Sequence, residues 1–118
     1  MRPMMLEGAR LFNAGEYWEA HEAWEVPWNA AKASGDPAEA SYVQGLILLA
    51  AALHKRWHYD NAAGGERNYA KALRRLEGLD PAISAQDGID LEELKLEVLR
   101  ALGERGFRPQ LKLEAPLL

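Results

Sequence analysis

The chain has 118 residues, no cysteine and a formal net charge of −4. That length suits one domain able to bury a core of its own, and the lack of cysteine removes disulfide, zinc-thiolate and cysteine-nucleophile chemistry. No basic run exceeds two residues, at Lys55-Arg56 and Arg74-Arg75, so no nucleic-acid partner is expected.

The first predicted helix starts near Pro3, a residue favoured at the first helical position, runs to about Asn13 and buries Met5, Ala9 and Phe12. Gly15 then supplies a left-handed turn. The second covers about Glu16 to Ala31, with Tyr17, Ala20, Trp24 and Trp28 on one apolar face. Pro27 cannot donate to the carbonyl of Ala23, so a kink or break is expected there. The third helix opens with Asp36 as cap, Pro37 at its first position and Glu39 as the reciprocal partner of a capping box. Its middle, LILLAAAL, is apolar on every side and should be buried on every side.

Asn61 to Gly65 reads as a turn. A fourth helix follows to about Gly78, burying Tyr69, Leu73 and Leu76, and Asp80-Pro81 stops it. Residues 82–89 read as a loop. The fifth helix opens with Asp90 as cap, Glu93 as box partner and Ile89 and Leu94 as a hydrophobic staple, and it buries Leu94, Val98 and Leu102. Gly103 or Gly106 ends it. Short links favour antiparallel neighbours, so the fold class is all-α, a compact antiparallel bundle of about five helices around a buried third helix. Residues 1–108 are expected to form this bundle. The tail from Pro109 to Leu118 is expected either to extend over the domain as a strap or to be disordered. The longest apolar run, Leu46 to Leu53, falls far short of the ~20 residues of a membrane span. Met1 to Met5 lacks the apolar stretch of a signal peptide, so a cytoplasmic protein without a membrane partner is expected.

Four features could carry chemistry. In HEAWE, His21 and Glu25 project from one side of the helix a turn apart, while Glu22 points about 100° away. An imidazole and a carboxylate against indole rings would be partly desolvated, which suits an acid–base pair or two metal ligands. It equally suits an intrahelical hydrogen bond that satisfies a buried histidine. His54 and His58 have the i, i+4 spacing that can hold a transition metal. They also fit two surface histidines at a helix C-terminus. If the second and third helices cross near these segments, His21, Glu25, His54 and His58 could meet as a mixed nitrogen and oxygen site. Trp18 points away from Tyr17, Ala20 and Trp24, so an exposed indole beside Glu22 and Glu25 could line a pocket or a partner surface. Gln44 enters a buried helix and needs a polar partner, another helix or a ligand.

The stretch Ala14 to Ala20 looks like the inter-helix turn of a tetratricopeptide repeat, but Tyr69 and Ala72 repeat Tyr17 and Ala20 at 52 residues rather than ~34. A closer resemblance is carried by FNAGEYWEAHEAWEVPW (Phe12 to Trp28), QGLILLAAALHK (Gln44 to Lys55), Asn61, Ala62 and the AL-x-x-L of Ala72 to Leu76. These residues resemble the domain of unknown function 309 family of small prokaryotic proteins, from about Met5 to Leu102. The resemblance implies a compact all-helical domain and no established activity. It places the family's signature polar positions on His21, Glu22, Glu25, Gln44 and His54, with His58 outside the pattern. The expected function is a protein- or ligand-binding module with a site at Trp18, His21, Glu22, Glu25, Gln44 and His54, without a cofactor. The alternatives are a small-molecule enzyme using His21 and Glu25, or a metal protein using His21, Glu25, His54 and His58. Four tryptophans leave room for an apolar homodimer face.

Overall fold

Six helices form among residues 1–114, the residues that the computed structural model describes: α1 Pro3–Asn13, α2 Tyr17–Ala33, α3 Pro37–His58, α4 Ala62–Leu76, α5 Pro81–Ala85 and α6 Leu91–Gly103. No strand forms among them. Three-residue links join α1 to α2, α2 to α3 and α3 to α4, so each helix packs antiparallel on the next. Gly15 and Gly35 take the left-handed conformation (φ of 80° and 72°) that reverses the chain after α1 and α2. At 1.5 Å per residue α3 is about 33 Å long, close to the molecule's longest dimension of 37 Å. It touches α2, α4, α5 and α6, and Leu46, Leu49, Ala50 and Leu53 are sealed inside. The third helix is therefore central, as its all-round apolarity predicts. No helix of the described residues is long and apolar enough to cross a membrane.

Five expectations need correcting. Pro27 does not break α2, which continues to Ala33. The helix packs along both α1 and α3, and Pro27 itself is buried, so tertiary packing carries the helix past its missing donor. Glu39 does not close a capping box. Asp36 accepts from the Glu39 backbone N–H at 3.1 Å, but the Glu39 carboxylate turns outward to Arg2 and Gln86.

Asn61 to Gly65 is the start of α4 rather than a turn. Asn61 is its cap, accepting from the Gly64 N–H at 2.8 Å. Gly64 and Gly65 are buried in its first turn. A Cβ on Gly65 would stand 3.0 Å from the Ala52 carbonyl oxygen and 3.2 Å from Arg56 Cβ, so this glycine lets α3 and α4 meet backbone to backbone. On the same helix Ala72 and Leu76 are buried and Leu73 is not. Residues 82–89, expected as a loop, hold all of α5 but its first residue, Pro81. Asp80-Pro81 starts a helix there, with Asp80 capping the Ala82 N–H at 2.9 Å.

The short α5 positions Asp87, the one acidic residue among those described with no solvent exposure. Its carboxylate accepts from the Arg2 backbone N–H (3.1 Å), Arg2 Nε (2.9 Å), Arg2 Nη2 (2.8 Å) and the Tyr42 hydroxyl (2.8 Å). Burial pushes the Asp87 carboxyl upward, but the bonds from Arg2 and Tyr42 together outweigh it and hold it below the ordinary 3.8. This knot ties the first residues of the chain to α3 and to the turn before α6.

After α6 the described residues have no regular structure. Leu111 is buried and exchanges two hydrogen bonds with the side chain of Asn13, at 2.9 and 2.7 Å. From Asn13 the described tail runs back along α1 to its start, where the Met1 amino group donates to the Glu114 carbonyl at 3.1 Å; residues 115–118 are outside those described.

Candidate functional site

Antiparallel packing brings the start of α2 and the end of α3 to one end of the molecule. There Trp18 leaves the core, 46% exposed. Its neighbour one turn on, His21, stacks on it with ring centroids 4.7 Å apart. Across the helix seam His54 lies 5.3 Å from the same indole. His54 stacks in turn on His58 at 4.7 Å, and Tyr59 meets both imidazoles edge-on at 5.2 and 4.8 Å. Four rings from two helices therefore run in a row, from His21 through Trp18 and His54 to His58.

The far wall comes from the chain after α6. Trp57 Nε1 and Arg56 Nε donate to the last-turn carbonyls of that helix, Ala101 at 2.9 Å and Leu102 at 3.1 Å. These bonds satisfy helix-end acceptors that would otherwise lack partners, and they fix where the chain leaves α6. Gly106 (φ 90°) turns it back, and Asn13 pins it again at Leu111. Held at both ends, Arg105 to Arg108 closes one side of a cleft of about 660 Å³ whose lining includes Glu16, Trp18, Glu19, His54, Trp57 and His58.

The electrostatics are set at His54. Burial first, and then the positive charge that His58, Lys55 and His21 can place beside it, push its pKa below the ordinary 6.5; Glu19 pulls the other way and does not prevail. Burial raises the Tyr17 hydroxyl, and Arg108 partly reverses this. Arg108 rests against the α1–α2 turn, where a Cβ on Gly15 would stand 3.0 Å from its Nε.

The expected site residues divide. Trp18, His54 and His58 line the cleft. His21 borders it through Trp18 but does not line it. Glu25 Oε1 lies 3.5 Å from His21 Nδ1, close enough for an ion pair but not aligned as a hydrogen bond, so that Nδ1 is buried without a partner. The anticipated intrahelical His21–Glu25 hydrogen bond is thus not made. Glu22 is exposed and lies outside the cleft. Gln44 sits ten residues before His54, about 15 Å along α3, in a separate groove with Trp28, Ser41 and Arg75. The four-ligand metal arrangement does not assemble. Among the described residues no three His, Asp or Glu side chains are placed to share an ion, and the Trp18 ring is interleaved between His21 and His54.

Sequence reasoning missed Trp57, Arg105 and Arg108. The Arg-Gly-Phe-Arg run after a helix end marks a turn, but only the bonds from Trp57 and Arg56 to α6 bring that turn to α3.

Because His21 Nδ1 is buried and unpartnered, replacing the ring by an apolar one removes a penalty. His21→Phe is expected to leave the melting temperature unchanged or raise it by up to about 4 °C, roughly 1 kcal/mol. A loss greater than this in a thermal melt would show that Glu25 does stabilise the imidazole.

The family model of a domain of unknown function (DUF309) matches residues 5–68. It spans α1, α2, α3 and the first half of α4, ending short of the Leu102 to which the resemblance in the sequence extends. The matched stretch holds Trp18, His54, Trp57 and His58 but not Arg105 or Arg108. No protein of curated function matches the chain.

Proposed function

The chain belongs to the DUF309 family, whose description carries no activity, and we propose that it is a ligand-binding module whose working surface is the aromatic cleft where α2 begins and α3 ends. The observation that carries this is the Trp18 indole. It is half exposed where the other three tryptophans are more fully buried, and it is gripped between His21 and His54 at the edge of a preformed cleft. An aromatic ring held by stacking yet open on a cleft is a surface for planar ligands. The walls are fixed by hydrogen bonds before any ligand arrives, so little ordering entropy opposes binding. The acid–base reading on His21 and Glu25 draws less support, because that pair lies outside the cleft and the imidazole nitrogen facing Glu25 is sealed.

Titration of the 15N-labelled protein with small planar aromatic fragments tests the proposal. The indole N–H signals of Trp18 and Trp57 are expected to shift together, with Trp24 and Trp28 unmoved, and Trp18→Ala is expected to abolish the Trp57 response. Fragments that shift only Trp28, beside Gln44, would move the site to the opposite groove and sink this reading.

A further inference from the structure

We propose that the ligand of this cleft is a planar aromatic ring carrying an oxyanion, with Trp18 stacking the ring and Arg105 and Arg108 holding the anion. The inference rests on the cleft being a ligand site and adds the charge class of what it takes.

Three arginines meet a carboxylate: Arg2 at 2.7 and 2.8 Å, Arg56 at 3.0 Å and Arg100 at 2.8 Å. Arg105 and Arg108, like Arg10, Arg67, Arg74 and Arg75, form no ion pair among the described residues, and of these six only Arg105 and Arg108 stand on the cleft wall. The Arg105 guanidinium lies 4.6 Å over the Trp57 ring. That contact holds it in place and leaves its in-plane N–H donors free. Arg108 lies against the Gly15 backbone, where a Cβ would stand 3.0 Å from its Nε. Two guanidinium groups on one wall with no carboxylate partner are what a carboxylate or phosphate needs for charge-assisted hydrogen bonds.

The cleft also carries Glu16 and Glu19, whose charge opposes an anionic guest. Glu19 lies in the first turn of α2, where the positive helix end already offsets a carboxylate. Arg105 and Arg108 belong to the chain after α6, whereas Glu16 and Glu19 belong to the opposite wall at the start of α2, so a negative guest is met on the arginine wall. A free anion would make no use of the half-exposed indole, and a neutral ring would make none of the arginines.

The test compares phenyl phosphate, inorganic phosphate and benzylamine on the full chain, read at the Trp18 and Trp57 indole signals. Phenyl phosphate is expected to bind at least about tenfold more tightly than either of the others, and the double variant Arg105→Gln/Arg108→Gln to weaken it by about tenfold or more. Benzyl alcohol should bind wild type and variant alike, and both residues are exposed, so the melting temperature should hold. If the double variant melts lower, Arg105→Gln alone gives the same comparison. Benzylamine binding as tightly as phenyl phosphate, or an affinity indifferent to the arginines, overturns the anionic class while leaving the cleft a ligand site. If no aromatic probe moves the Trp18 signal, the cleft reading itself fails and this inference with it.

Discussion

Asp87→Ala is expected to destabilise the protein by about 3 kcal/mol, the lower end of what breaking a buried charge pair costs, and to lower the melting temperature by roughly 12 °C. The carboxylate has no exposure and receives four hydrogen bonds. Its removal strands the Tyr42 hydroxyl in the core and leaves Arg2 with Glu39 alone. Arg2 keeps 26% of its side chain in contact with water, which is why the lower end of the range applies. Asp87→Asn keeps the shape and an acceptor for Tyr42 but loses the charge, and should fall between the variant and wild type. Arg2→Ala should cost less when Asp87 is already gone, since both changes break one knot. A urea titration of the wild type and these four variants checks this; a loss below about 1 kcal/mol for Asp87→Ala would show that the knot contributes little.

The same carboxylate shapes the acid limb of stability. Its folded pKa lies below the ordinary 3.8, so its contribution is present above that value and is lost as the pH falls through the folded one. The limb should flatten in Asp87→Asn. His54 acts in the same direction from a higher pH. Its folded pKa lies below 6.5, so the unfolded chain takes up that proton more readily, and stability declines as the pH drops through the folded value.

Local rules carried much of this fold. Asp36-Pro37 and Asp90 begin helices in the sequence and in the structure, and the all-round apolarity of residues 46–53 marks the central helix. Where reading failed, distance along the chain explains it. Asp80-Pro81 has the same chemistry as Asp36-Pro37, yet a five-residue helix has no periodicity to announce it. Gly64-Gly65 reads as a turn by propensity, and only the approach of Ala52 from another helix explains two glycines inside one. Nothing near Asp87 marks it as buried, because its partners are Arg2, 85 residues away, and Tyr42, 45 residues away.

The candidate site divides in the same way. Trp18 was legible as an outward indole from helical phase alone. The meeting of Trp18 with His54 depended on helix order, which short links predict, whereas the arginine wall depended on how α3 holds the end of α6. Gln44 shares a helix with His54 but not a site, because an α-helix separates ten residues by nearly three turns.

The HEAWE motif is itself partly core, and Trp24 is the residue that shows it. The indole is 1% exposed and donates to the Met5 carbonyl at 3.2 Å, with Phe12 5.8 Å away. Trp24→Ala should cost about 4 kcal/mol by cavity formation and the lost hydrogen bond. The more telling variant lies across the seam. Alanine in place of glycine inside a helix normally stabilises it by about 1 kcal/mol, but a Cβ on Gly8 would overlap the Trp24 ring atoms Nε1, Cδ1 and Cε2. A buried, rigid indole has nowhere to retreat, so Gly8→Ala should destabilise by about 2 kcal/mol instead. In a Trp24→Phe background the smaller ring leaves room for the methyl group. There Gly8→Ala should cost little or regain its helical benefit, giving a coupling of at least about 1 kcal/mol between the two positions. Equal costs in both backgrounds would mean that the α1–α2 seam is set by something other than this glycine and this ring. The coupling would establish that Trp24 fastens α2 to α1 and so fixes the phase at which Trp18, six residues earlier, faces the cleft.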